Sequence, residues 1–315
     1  MVVGWDVNRA ILTMTNILCL GEPMVEFNQR PDGLFTQGFG GDTSNCAISA
    51  ARQGAKVGYI TRIGADQFGD KLLQLWQSEG IDTRYVIRDK DHATGIYFVT
   101  HDQSGHHYQY YRKHSAAASI TPSDLDETAI AQATMIHVSA ISQAISDQAA
   151  ETVRAAIDIA KRHQTLVAYD TNLRLNLWSA EKARSVVHEA MSHCDIALPS
   201  YDDATVLTGL TEPHDIVDFY LTLGANDVVL KRGAKGVIAA NHEKRIEIPG
   251  RSFATIDSNG AGDTFAGALR SRLSSGDTVF DAAEYANIAA GLSTTNSGAV
   301  AAIPTRKQTE DYINS

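Results

Sequence analysis

Cysteine is scarce in this 315-residue chain: Cys19, Cys46 and Cys194 are odd in number, far apart and never spaced as CxxC. That count supports neither a disulfide framework nor a thiolate zinc site, and it fits a reducing cytoplasm. No apolar run approaches the roughly 18 residues that span a bilayer. The first residues lack the basic n-region of a signal peptide, so export is not expected. Positive charge is also short: 27 basic residues face 37 acidic ones, a net charge of −10, which argues against nucleic acid or an anionic membrane as partner. Several motifs are missing too, namely GxGxxG, the P-loop GxxxxGK[ST], GxSxG and HExxH. Rossmann dehydrogenase, P-loop kinase, serine hydrolase and zincin readings lose their main support. Only 7 prolines occur, with no Pro/Ser-rich linker, repeat or low-complexity tract to divide the chain.

What is present is a soluble globular composition, with 43% hydrophobic and 20% charged residues, which removes collagen-like and disordered classes. Length alone predicts one large α/β domain or about two units. Short β-branched runs alternate with stretches of helical apolar spacing, a βαβ signature. The clear pairs are a strand at 57–63 with a helix at 67–79, 135–138 with 147–162, and 166–169 with 180–191. A first strand at 16–20 and further strands at 196–198 and 228–231 complete the pattern. Residues 1–14 read as a leader, and Met14 is a candidate start.

Two stretches break the alternation. Residues 25–39 and 94–114 read as strand only, the second as a β-hairpin turning at Ser104-Gly105. Such insertions do not join a parallel sheet easily, so they are placed together as a β-lid over the strand ends. The core is then 15–24, 40–93 and 115–315.

The sharpest segment is Ile256-Asp-Ser-Asn-Gly-Ala-Gly-Asp263-Thr-Phe. Its glycine-rich turn opens onto a helix whose Phe265, Ala268, Leu269 and Leu273 share one face. Unpaired N–H groups at such a turn make an anion site. An acid beside a phosphate site is repelled unless it has a task, and accepting a proton from an attacking hydroxyl is one. Capping the helix dipole is the other role open to Asp263.

The segment Asp257-Ser-Asn-Gly-Ala-Gly-Asp263 resembles the C-terminal signature of the ribokinase-like, or PfkB, carbohydrate kinases. Gly38-Phe-Gly-Gly41-Asp-Thr-Ser-Asn45-Cys-Ala through Ala51-Arg-Gln-Gly54 to Ile63-Gly-Ala-Asp66-Gln-Phe-Gly69 resembles the N-terminal one. The resemblance runs from about Asn16 to Pro304. It implies a ribokinase-like three-layer α/β/α core with a mainly parallel sheet and a small β-sheet lid. It also implies Asp263 as catalytic base and Gly260, Ala261 and Gly262 as the anion hole for the transferring phosphoryl group.

Within the family, several segments are similar to 2-keto-3-deoxygluconate kinases. A sugar acid needs a fixed cation, best a guanidinium fork. Arg112, ending Tyr110-Tyr-Arg112, and Arg174, in Asp170-Thr-Asn-Leu-Arg174, both qualify, and a surface salt bridge is the alternative for each. Gly40, Gly41 and Asn45 are expected to floor the sugar pocket. Tyr97 and Tyr110 offer it an aromatic face and a hydroxyl, or simply pack the lid. Glu22 either reaches the sugar or ends a strand structurally.

For ATP, Val228-Val-Leu-Lys231-Arg-Gly233-Ala-Lys-Gly236 reads as strand, turn, strand and resembles the family's phosphate and ribose segment. Asn287 and Gly298-Ala299 fall where the family borders adenine. Ser200-Tyr-Asp-Asp203 stands where the family has Asn-x-x-Glu, which organises Mg²⁺. The shorter acid makes Asp203 a water-mediated ligand at most, while Mg²⁺ is still needed against the phosphate charge. Ser258 and Asn259 leave room for a monovalent cation such as K⁺ near Asp257 without requiring it. His92, His101, His106, His107 and His114 crowd the hairpin without metal-ligand spacing and read as a solvated loop.

The expectation is therefore an ATP- and Mg²⁺-dependent cytoplasmic kinase of the primary hydroxyl of 2-keto-3-deoxygluconate, dimeric through its lid. The rivals are a kinase of fructose, ribose or a nucleoside on the same fold, and a non-catalytic sugar-acid binder.

Overall fold

The computed structural model describes residues 15–102 and 105–315. The leader at 1–14, the turn residue Ser104 and the side chain of His106 lie outside the described residues. In chain order the strands are β1 (Ile17–Leu20), β2 (Met24–Gln29), β3 (Phe35–Gly40), β4 (Val57–Gly64) and β5 (Val86–Asp89). Then come β6 (Ile96–Asp102), β7 (Gly105–Tyr111), β8 (Met135–Ser139) and β9 (Leu166–Asp170). The last are β10 (Ile196–Leu198), β11 (Asp227–Lys231), β12 (Val237–Asn241) and β13 (Arg245–Ile248).

Nine of them form one sheet in the order β13-β12-β11-β10-β9-β8-β1-β4-β5. It is parallel from β11 to β5, and the β11–β12–β13 edge is antiparallel. Its central strands are buried and largely apolar, with His137 and Ser139 of β8 among the exceptions, because both faces are covered, as a parallel sheet requires. In β1, Ile17 and Cys19 enter one core while Leu18 and Leu20 enter the other, the period-two alternation of a strand between two helix layers. One core holds the helices Asp147–His163, Ala180–Met191 and Pro213–Leu223; the other holds Asp42–Arg52, Ala261–Ser274 and Val279–Ser293. This is the three-layer α/β/α fold expected.

Local chemistry starts the helices where the sequence does. Asp66 accepts from Phe68 N and Gly69 N at 3.0 and 2.8 Å, capping Gln67–Ser78. Ser146 and Ser200 cap Asp147–His163 and Tyr201–Thr208.

The two strand-only stretches make a separate four-stranded sheet, β3-β2-β6-β7. Its β2–β6 pair is parallel and the others antiparallel. Alternation sorts its aromatics: Tyr97, Tyr108 and Tyr110 line one side, while Phe27, Phe98 and Tyr111 lie on the other. Phe27 meets Phe68 edge-on at 5.7 Å, seating this sheet on the helix Gln67–Ser78. No described helix is long and apolar enough to cross a membrane.

Candidate active site

Functional side chains gather at the carboxyl ends of β1, β9, β10 and β11, where Glu22, Asp170, Ser200 and Lys231 emerge. Gly260, at φ +76°, turns the chain into the helix Ala261–Ser274, and an added Cβ there would crowd Ala299 at 3.0 Å. Asp263 lies in that helix's first turn and accepts from Asn45 Nδ2 at 2.8 Å. Loss of water and the nearby Asp42 carboxylate push the Asp263 carboxyl well above the usual range, against the Asn45 hydrogen bond. Asn45 Oδ1 is buried with no partner among the described residues, so a polar atom beside Asp263 awaits a ligand. Of the turn's amides, Ala261 N–H donates to Ser258 O at 3.2 Å, whereas Gly262 N–H has no backbone acceptor among the described residues.

Asp263 stands at the junction of two cavities. The first, about 600 Å³, is walled by Glu22, Gly40, Asn45, Tyr97, Tyr108, Tyr110, Arg112 and Arg174. Tyr97 stacks on Tyr110 at 5.5 Å and donates its hydroxyl to buried Glu26 at 2.5 Å, so that oxygen remains only an acceptor for a ligand. Arg112 is buried, lies over the Tyr110 ring at 5.4 Å, and is ion-paired with Glu22. Burial pushes the Glu22 carboxyl up, opposed by that guanidinium. Arg174 is exposed, bonds only its neighbour's carbonyl, Leu173 O, at 2.9 Å, and has no acidic partner among the described residues. Gly40 and Gly41 do belong to this wall, but packing gives the reason: a Cβ would meet Tyr97 OH at 2.4 Å or Glu22 O at 2.2 Å.

The second cavity, about 750 Å³, shares Asp263, Asn172 and Arg174 with the first and adds Asp170, Ser200, Asp203, Lys231, Gly233 and Gly262. Lys231 Nζ donates to Asp170 Oδ2 at 2.6 Å, both largely buried. Burial opposes ionisation of Asp170 more than any single group favours it, but the charge and hydrogen bond of Lys231 with the nearby Arg270 and His137 together hold the carboxyl below its ordinary range. Asp203 is anchored by Thr171 Oγ1 at 3.1 Å and Leu173 N at 3.2 Å. Asn172 Nδ2 donates to Asp42 Oδ2 at 3.0 Å.

Lys231, Gly233 and Gly262 continue into a third cavity of about 300 Å³, mostly apolar, walled by Val237, Phe253, Phe265, Asn287 and Ala290. Asn287 Nδ2 is used on Pro249 O at 2.9 Å. An added Cβ at Gly233 or Gly262 would meet nothing within 4 Å, so the backbone there is open to a ligand. At Gly236, φ +85°, it would strike Ile248 O at 2.0 Å, so that glycine serves the turn itself.

Thus most of the expected site residues line one continuous trough, whereas Gly260 and Gly298 wall none of its three cavities. Ala299 lines the 600 Å³ pocket rather than the apolar one, because it packs beneath Gly260. Asp257 is occupied by Asn259 N and Gly298 N at 2.9 and 3.0 Å. No group of three or more potential metal ligands occurs among the described residues. Asp42, Asn172, Tyr108 and Phe253 also line these cavities; Asp42 and Asn172 lie within the Gly38–Asn45 and Arg174 segments and Tyr108 alternates with Tyr110 in the hairpin, whereas Phe253 carries no local signal.

A family model described as pfkB family carbohydrate kinase matches residues 14–306. The chain is 32% identical over 304 residues to a 2-dehydro-3-deoxygluconokinase of Dickeya dadantii, covering 92% of this chain and 97% of that one. It is 30% identical over 311 residues to one from Thermoproteus tenax, covering 95% and 94%. Fructokinase-2 of Zea mays is 27% identical over 315 residues, covering 94% and 93%. Among solved structures, a PfkB protein from Polaromonas sp. JS666 superposes with TM-score 0.86 at 30% identity, covering 94% of this chain and 99% of that one. A fructokinase with bound ATP from Xylella fastidiosa shares the fold, with TM-score 0.88 at 23% identity, covering 95% and 98%. With its trough and its full-length match, the chain belongs to the pfkB family of carbohydrate kinases, phosphotransferases that act on a sugar hydroxyl.

Proposed function

We propose that this kinase transfers the γ-phosphoryl group of ATP to the primary hydroxyl of a sugar acid, 2-keto-3-deoxygluconate. One observation carries the reading: Asp263 joins a pocket walled by two arginines to a trough that runs past Gly262 into an apolar chamber. The likeness to 2-dehydro-3-deoxygluconokinases supports it.

Asp263 accepts the hydroxyl proton. A carboxyl raised well above its ordinary range is a stronger base than an ordinary aspartate. Asn45 engages Oδ2, leaving Oδ1 for that proton. Arg112 and Arg174 stand in the wall that faces the sugar acid, and Tyr97, Tyr110, Gly40 and Gly41 shape the rest of it. The turn Gly260-Ala261-Gly262 faces the transferring group through the open backbone at Gly262. Lys231, Gly233, Gly236 and Ser200 border the phosphates and ribose, and Asn287 the base. When bound, ATP supplies the phosphoryl group and Mg²⁺ offsets its negative charge. Asp203, whose carboxylate is already anchored in the trough, is the residue assigned to Mg²⁺ through water. A monovalent cation such as K⁺ near Asp257 is a secondary addition.

The small sheet acts as a lid whose closure excludes water from the junction. Its far side exposes Leu34, Phe35 and Tyr111, at 61%, 42% and 55%, an apolar face suited to a second copy of the chain. Sedimentation showing a monomer at micromolar concentration would remove the dimer. Free, buried thiols at Cys19, Cys46 and Cys194 suit a reducing cytoplasm.

The fructokinase likeness and the pairing of Arg112 with Glu22 favour a neutral sugar as the second reading. An ADP-release screen over sugar acids and matched neutral sugars decides between them. Sugar acids should react best, and Arg174→Ala should erase that preference; an unchanged preference removes the carboxylate assignment.

A further inference from the structure

Acids outnumber arginines three to two in the wall of the 600 Å³ pocket: Glu22, Asp42 and Asp263 against Arg112 and Arg174. An anionic sugar needs one cation that is not already neutralised. Arg112 is not that cation. Its Nε and Nη2 are both directed at Glu22, whose side chain is fully buried, and the Nε bond measures 3.3 Å. A ligand carboxylate on the same guanidinium would bring two like charges together out of water, which favours neither. Arg174 lines the same pocket and carries no acidic partner among the described residues.

We propose that Glu22 is a specificity-determining residue: by holding Arg112 in a neutral pair it makes that arginine a donor to hydroxyl or keto oxygens, and it assigns the substrate carboxylate to Arg174. Arg112 retains Nη1 for this purpose, and Tyr110 beneath the guanidinium keeps its plane in the wall. The inference rests on the sugar-acid reading and refines which arginine bears the charge.

The test measures kcat/KM for 2-keto-3-deoxygluconate and for fructose, and follows their ratio relative to wild type. Glu22→Gln, which releases the Arg112 charge, should raise the acid-to-neutral ratio about tenfold, and Arg112→Gln, which strands the Glu22 charge, should lower it about as much. The double variant Glu22→Gln/Arg112→Gln restores a neutral pair and should return the ratio to within about threefold of wild type. A double variant as low as Arg112→Gln alone, or a ratio that does not rise in Glu22→Gln, overturns the proposal. Should Glu22→Gln fail to fold, Arg174→Ala must lower the ratio about tenfold while Arg112→Lys leaves it within about threefold, and any other pattern overturns it. If wild type prefers fructose, the sugar-acid reading fails, and the direction in which Glu22→Gln moves the ratio still judges Glu22.

Discussion

Asn45 Nδ2 donates to Asp263 Oδ2 across 2.8 Å, joining the first turns of two helices whose residues stand 218 positions apart. The bond favours the ionised carboxylate, whereas loss of water and Asp42 oppose it with greater effect.

The acidic limb of kcat/KM against pH should therefore lie above the ordinary aspartate value of about 3.9. Activity is present where Asp263 is ionised and is lost as pH falls through its raised value. Asn45→Ala removes a hydrogen bond that favours the anion, so the limb should move upward by roughly one pH unit. A downward shift or none would show that Asn45 does not set the Asp263 charge.

Stability should respond in the opposite sense. A carboxyl whose folded value is raised destabilises the fold wherever the unfolded chain ionises it, so Asp263→Asn should raise the melting temperature at pH 7. The gain should fade below about pH 4, where Asp is protonated in both states. Calorimetry at pH 7 and pH 4 tests this, and a variant that melts lower at pH 7 contradicts it.

Gly267 lets the two helices approach closely enough for Asn45 to reach Asp263. A Cβ there would stand 2.4 Å from Cys46 O and 2.5 Å from Ser49 Cβ. Gly267→Ala gains helix propensity of about 1 kcal/mol yet should still destabilise by about 1–3 kcal/mol through overpacking. Turnover should fall further than sugar affinity, because the base moves while the arginines stay. Denaturant unfolding with paired kcat and KM measurements checks both.

The Lys231–Asp170 pair should behave as a buried couple. Lys231→Met strands an unpaired carboxylate and should cost about 3–5 kcal/mol, and Lys231→Met/Asp170→Asn should recover most of it without recovering affinity for ATP. Asp170 is held below its ordinary value, so the pair's contribution is present above that value and is lost as pH falls through the depressed one. Urea titrations at pH 7 and pH 3 measure the difference; equal losses in the single and double variants would sink the prediction.

Local order was legible in the chain because it depends on near neighbours. The apolar run of β1 and the glycine turn before Asp263 each act within a few residues. The strand-only stretches were equally readable, since neither can take helical spacing. That they form one sheet through the parallel β2–β6 pair depends on registering residues about 70 positions apart.

Charge state lay beyond such reading. Arg112 in sequence is a cation available to a substrate; in the fold it faces Glu22, 90 residues earlier, and its charge is already matched. Lys231 likewise meets Asp170, and Asp263 meets Asn45 and Asp42. The layers, the helix positions and the residue types on hand for phosphoryl transfer follow from periodicity and near-neighbour chemistry, so the chain carries them in one dimension. Which of those charges remain free is settled by the folded arrangement, because pairing and desolvation depend on distance in space and not along the chain.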